Sequence, residues 1–122
     1  MVEEPLFVMN RMVVVVLPKA PFVEWINRFS HGEAKPVTLD EAREDPNAFA
    51  IPVRANELDT PGERWLRQNW SILFERMLED WYADESLWPR SRTRKMFQEW
   101  CELRAHTVVM DCSDEPLEYS DV

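Results

Sequence analysis

The stretch MVVVVL, residues Met12–Leu17, decides the fold that the sequence predicts. Four consecutive valines favour a β-strand, because β-branched side chains pack well on a pleated surface. Every position of the stretch is apolar, which is typical of a strand covered on both faces. We therefore expect it to lie in the interior of a sheet and to end at Pro18.

Apolar residues recur near the helical period in three other segments, so the sequence predicts three main helices. The first has Pro21 in its first turn. Two capping boxes, TLDE at Thr38–Glu41 and TPGE at Thr60–Glu63, predict the starts of a short helix and of the longest one, with Pro61 at the first helical position. The apolar positions are Phe22, Trp25, Ile26 and Phe29 in the first helix, Trp65, Leu66, Trp70, Leu73, Phe74, Met77, Leu78 and Trp81 in the longest, and Met96, Phe97, Trp100 and Cys101 in the last.

Two more segments predict strands, AFAIPV at Ala48–Val53 and AHTVVMDC at Ala105–Cys112. The first is expected at a sheet edge, because Pro52 cannot donate to a neighbouring strand. The element order is then β-α-(α)-β-α-α-β. It predicts an α+β fold, in which residues 1–112 form a single compact domain with helices packed on a three-stranded sheet. Residues 113–122 are expected to be an acidic tail that frays.

Charge and composition exclude several classes of function. The net charge is −9, and the five acids from Asp111 onward, with no Lys or Arg among them, leave about −4 for the rest of the chain. This balance argues against nucleic-acid and membrane partners. The apolar run at Met12–Leu17 is too short for a secretion signal or a membrane span. We expect a cytoplasmic protein with both cysteines reduced.

Two familiar kinds of chemistry find no support in the residue types. The chain has only two glycines, so it cannot contain the glycine-rich loops that let a backbone approach phosphates, and nucleotide binding is disfavoured. Its two histidines and two cysteines do not fall at metal-ligand spacing. We therefore predict no cofactor, no metal site and no assigned catalytic residue.

The segment DESLWPRSRTRKMFQEW, residues 84–100, is the most unusual part of the sequence. Its four cations are either a solvated face neutralised by the nearby acids, which we favour, or an anion site at a helix N-terminus. Trp88 is either an exposed interface anchor or a lid over the core. His106, on the last predicted strand, is either a structural residue, which we favour, or a base. The candidate binding residues are Asp84, Glu85, Trp88, Arg90, Arg92 and His106.

Three segments together resemble a family of small, acidic, uncharacterised bacterial proteins: PKAPFVEWIN at Pro18–Asn27, DESLWPRSRTRKMFQEW, and HTVVMD at His106–Asp111. The resemblance spans about Met12 to Asp111 and is most specific from Asp84 to Phe97. That family has no assigned activity. The resemblance therefore implies a bacterial cytosolic domain and assigns no catalytic residue.

The excess of aromatic residues, the acidity and the missing catalytic motifs favour a non-catalytic protein-binding module. It would be an adaptor, an inhibitor or an immunity-like protein, and its partner would be another protein or a second copy in a homodimer. The alternative is a small enzyme or anion-binding domain. Its cleft would combine Asp84, Glu85 and Arg92 with His106 or Asp111, with a carboxylate as base and Arg92 holding an anionic substrate.

Overall fold

The computed structural model describes residues 6–29, 35–53 and 61–121. It is a mixed α+β fold, in which helices pack on a small antiparallel sheet. The strands are β1 (Phe7–Val8), β2 (Arg11–Pro18), β3 (Asn47–Pro52), β4 (Cys101–His106) and β5 (Met110–Asp111), and the helices are α1 (Ala20–Arg28), α2 (Leu39–Ala42), α3 (Glu63–Trp81) and α4 (Arg94–Trp100). The predicted fold class and single domain are confirmed.

The valine stretch forms the centre of the sheet, as predicted. β2 pairs antiparallel with β3 on one side and β4 on the other. Its even-numbered residues Met12, Val14 and Val16 are fully buried, whereas Val13 and Val15 are only half-buried. The expectation that both faces of β2 are covered is therefore wrong. The main helices pack on the face of Met12, Val14 and Val16, whereas Val13 and Val15 on the other face lie beside the exposed Ala50 and Ala48 of β3.

The last predicted strand has different bounds in the structure. The strand beside β2 is β4, and it begins at Cys101, which we had placed on the helix. The chain then leaves the ladder at residues 107–109 and pairs again as β5 with β1, a strand that we did not predict. His106, Val108 and Met110 thus do not share the face of one continuous strand.

Strands β1 and β5 extend the β2–β4 ladder across an irregularity. Val13 pairs with His106 and Val8 pairs with Met110, so one strand has one more residue than the other between these pairs. The pairing therefore changes register between the two parts, which form separate sheets. A hydrogen bond from the Met9 N–H to the Val109 carbonyl, 3.2 Å long, continues the β1–β5 pairing by one residue. We call the β1–β5 ribbon the arm.

Aromatic rings fill the space between the sheet and the helices. The ring of Trp25 meets those of Phe22 and Tyr82 edge to face, with centroids 5.4 and 5.2 Å away, and Phe74 lies 5.3 Å from Phe97. Such pairs add stability beyond the area that they bury. Cys101 is part of the same core, and burial raises the pKa of its thiol to about 12. The predicted apolar positions of all three helices contribute to this core.

Helix starts and bends are set by individual polar residues. Thr38 and Glu41 form the predicted capping box, and Thr93 caps α4 by accepting a hydrogen bond from the Met96 N–H. The predicted start of α3 is wrong, because the helix begins at Glu63 with Gly62 as its N-cap, while Thr60 lies outside the described residues. Within α3, Asn69 leaves the helical conformation and its side-chain amide donates to the Trp65 carbonyl. That bond competes with the backbone ladder and bends the helix.

Candidate functional site

The segment Asp84–Arg92, which we call the corner, joins α3 to α4 and closes the core. Trp88 has the extended conformation that Pro89 imposes on the preceding residue. Its side chain is 9% exposed, and its indole N–H donates to the Tyr82 carbonyl at 2.7 Å. The Trp25 indole in turn donates to the Leu87 carbonyl at 2.9 Å. Trp88 is therefore a lid over the core and does not form an exposed anchor.

Arg92 is held by contacts within the corner and to α3. Its guanidinium lies 5.7 Å from the centre of the Trp88 ring, and it donates to the Pro89 carbonyl at 2.8 Å. It also forms an ion pair with Glu75 at 3.0 Å. Asp84, Glu85 and Glu99 were the acids expected to neutralise this run of cations, but the acid that pairs with Arg92 is Glu75 of α3. The guanidinium binds within the protein and is three-quarters buried.

The other predicted residues of the corner have local or exposed side chains. Asp84 caps a 3-10 turn, and hydrogen bonds from the Ser86 hydroxyl and backbone N–H lower the pKa of its carboxyl group. Glu85 and Arg90 are exposed to solvent. These residues lie near one another along the chain, and the hydrogen bonds of Asp84 and Arg92 hold the turn together.

His106 is not part of the corner. It pairs with Val13 at the end of β4, so its side chain lies on the sheet face opposite the aromatic core, whereas Trp88 packs into that core. The structure thus brings Asp84, Glu85, Trp88, Arg90 and Arg92 together at one turn and leaves His106 on the other side of the sheet. Among the described residues, no hydrogen bond or ion pair joins Asp84 or Glu85 to Arg92. The carboxylate–arginine cleft therefore stays a prediction.

An ion network that the sequence analysis missed lies on the same sheet face as His106. Glu102 accepts hydrogen bonds from Arg43 at 2.8 Å and from Arg104 at 2.7 Å. Arg43 also donates to the Pro18 carbonyl at 2.8 Å, which fixes the short helix α2 to β2. Hydrogen bonds from the two guanidiniums, that of Arg43 foremost, lower the pKa of Glu102 to about 2. Only the folded chain brings Arg43 to Glu102, so their spacing in sequence gives no signal.

The depressed pKa of Glu102 predicts a pH dependence of stability. Its contribution is fully present above the ordinary pKa of 4.5 and is lost as the pH falls through about 2. In urea unfolding across this range, the free energy of unfolding should fall less steeply with decreasing pH for Glu102→Gln than for the parent. Glu99→Gln, at an exposed glutamate of α4, is the control and should follow the parent. Parallel curves for the parent and Glu102→Gln would contradict the prediction.

Most of the exposed large apolar side chains lie in the arm, next to it, or in the chain that follows it. Among the described residues nine large apolar side chains are exposed, and only Leu39 and Ile72 lie elsewhere. The other seven are Leu6, Phe7, Val8, Val108, Met110, Leu117 and Tyr119. Isolated exposed apolar residues are ordinary, but a cluster of this kind is typical of a binding surface.

Strand pairing gives the arm two different sides. Val8 pairs directly with Met110, so their side chains lie next to each other on one side. Phe7 pairs with Asp111 on the other side, where an apolar ring is adjacent to a carboxylate. The following segment, Ser113–Asp121, is exposed, forms neither helix nor strand, and adds four acids. The arm is thus an apolar ribbon with an acidic border.

The sequence contained a signal for the arm. Leu6–Val8 and Val108–Met110 are short apolar runs, each next to a strand of the sheet. A two-residue strand is too short for an alternation of apolar and polar residues, and only its partner across the ladder makes it recognisable. The acids of the tail were noted, but Leu117 and Tyr119 among them were not singled out.

The described residues form neither a metal-binding cluster nor a membrane-spanning helix. Within the ranges 6–29, 35–53 and 61–121, no group of three or more His, Cys, Asp and Glu residues is placed to hold a metal ion. In those same ranges none of the helices has the length and apolar character needed to cross a bilayer. The chain matches no protein-family model, no curated protein and no solved structure, so the resemblance to small acidic bacterial proteins stays a prediction.

Proposed function

We propose that this protein is a non-catalytic, cytoplasmic protein-binding module that uses the arm as its contact surface. The observation that carries the proposal is the concentration of exposed apolar side chains on β1, β5 and the segment after them. Interface centres are built from apolar and aromatic side chains that exclude water, with a polar rim around them. In the arm, Phe7, Val8 and Met110 would form the apolar centre of the interface. Asp111 and the acids of the tail would form its polar rim.

The charge around the arm indicates the kind of partner. Asp111 and the four acids of Ser113–Asp121 border the apolar side chains, and this part of the sequence has no Lys or Arg. The partner is then a protein that presents an apolar surface bordered by basic side chains, since opposite charges at an interface rim speed association and select partners. An adaptor, an inhibitor or an immunity-like protein would each use such a surface.

The Val8→Ser, Met110→Ser double variant tests the proposal. Both side chains are more than half exposed, so the changes should move stability by only about 0.5 kcal/mol each. Purified tagged proteins are incubated with lysate of the source cells, and captured proteins are quantified by mass spectrometry. We expect the parent to capture a near-stoichiometric partner and the double variant to lose it.

The matched control is Ile72→Ser, because Ile72 is equally exposed but lies on α3, away from the arm. This variant should retain the partner. Capture that is unchanged in the double variant, or lost equally in the control, would contradict a role of the arm in binding.

A further inference from the structure

A second apolar surface lies between α3, α4 and the edge strand β4. It is a groove of about 150 Å³, large enough for one aromatic ring. Trp70, Phe97 and the aliphatic Leu66 and Leu103 form its apolar part. Its polar border consists of Glu63, Arg67, Arg94 and Gln98.

The border of the groove carries two arginines and one glutamate, a small positive excess in a protein that is strongly acidic as a whole. Arg67 pairs with Glu63 at 3.4 Å, but both side chains are more than half exposed, and such a pair contributes little. Arg94 has no ion-pair partner among the described side chains and is the first residue of α4, where the helix dipole disfavours a cation. Lys19 adds a further cation nearby, because its ammonium donates to the Gln98 carbonyl.

The position of the groove suits an extended peptide. Leu103 belongs to β4, which among the described residues pairs with β2 alone and is an edge strand of the sheet. An extended segment can add to such an edge as a further strand and place alternate side chains in an adjoining pocket. The complementary segment would carry one large apolar side chain between acids.

The chain itself contains such a segment. In Ser113–Asp121 the aromatic Tyr119 is 87% exposed, and Glu118 and Asp121 lie on either side of it. The same tail therefore does not fill the groove of its own copy in this structure. We propose that Tyr119 of one copy docks in the groove of a second copy, with Glu118 beside Arg94, so that two tails are exchanged in a symmetric dimer.

This inference deepens the proposed function and rests on it for the claim that the protein binds proteins. The groove and the β1–β5 ribbon are different surfaces, and the two proposals share the tail Ser113–Asp121. Sedimentation velocity of the full chain over a wide concentration range should show a reversible dimer. Tyr119→Ala should raise its dissociation constant by at least about thirtyfold, the effect expected for a central aromatic anchor. Ile72→Ala, at an exposed apolar residue outside the groove, should leave the constant unchanged.

A charge exchange makes the test specific for the proposed contact. Arg94→Glu and Glu118→Arg should each weaken the dimer by about tenfold, and the double variant should recover most of the loss. Arg94→Glu places an acid at a helix N-terminus, so the fold is expected to survive, as circular dichroism will show. An excess of a synthetic peptide of Ser113–Asp121 should also convert the dimer to monomer.

Two results would overturn the inference. A chain that stays monomeric at every concentration excludes a second copy as the occupant, even if the peptide binds to it. A dimer that neither Tyr119→Ala nor Arg94→Glu weakens excludes the groove and moves the contact elsewhere. Neither result alters the capture experiment with the Val8 and Met110 variant, so failure of this inference can be told apart from failure of the proposed function.

Discussion

Gly62→Ala is expected to lower the free energy of unfolding by about 3 kcal/mol or more, since two costs combine at this position. Gly62 caps α3 with φ of +80°, a conformation that residues with a Cβ rarely adopt. A Cβ there would lie 2.5 Å from the Met12 sulfur and 2.9 Å from Ile51 Cδ1. Both side chains are fully buried, so neither has free space into which it can move.

Urea unfolding of Gly62→Ala with and without Met12→Val separates the two costs. The shorter valine side chain makes room for the Cβ, so the added effect of Gly62→Ala should be smaller in the Met12→Val background. The part that remains reports the backbone strain. An equal loss in both backgrounds would show that the contact with Met12 is unimportant, and a loss below about 1 kcal/mol would contradict the strained cap.

Trp25→Ala is expected to cost about 4 kcal/mol, which is a large share of the stability of a domain this size. The ring is 1% exposed and contacts Phe22, Phe29 and Tyr82. Its indole N–H is also the donor for the Leu87 carbonyl, so the substitution leaves a cavity and frees an acceptor of the corner at the same time.

Two further variants resolve the contributions in the same unfolding measurement. Trp25→Phe keeps a ring in the core but removes the hydrogen bond, and we expect an intermediate loss of about 2 kcal/mol. Trp81→Ala, at a half-buried tryptophan at the end of α3, should cost less than Trp25→Ala. Equal losses for the alanine variants at positions 25 and 81 would contradict the central position of Trp25 in the core.

The fold was largely predictable because its main elements have long, regular patterns. The valines of β2 and the apolar stripe of α3 are periodic over enough residues to identify a strand and a helix. The end of α4 was not predictable in this way. Cys101 continues the apolar side of the helix, yet it pairs with Pro18 in the sheet, and that pairing is a tertiary contact.

The candidate site was less predictable than the fold. Charge density drew attention to the corner, whose Arg92 instead binds Glu75 on α3, a residue that the sequence places on the polar side of its helix. The exposure of Val8 and Met110 depends on where β1 and β5 meet, beyond the end of the sheet core. Apolar residues at these positions are compatible with burial, and only the packing of the whole chain decides whether they are covered.

The pairing of β2 with β4 has a consequence for how the chain folds during its synthesis. Val13 and His106 are partners although about ninety residues separate them, so the central strand stays unpaired on one side until β4 has been synthesised. Until then β3 is the one partner of β2 among the described strands, and the valine run has an open edge toward other nascent chains. Translation speed and chaperone access between the synthesis of β3 and that of β4 should therefore govern how much of this protein reaches its native state.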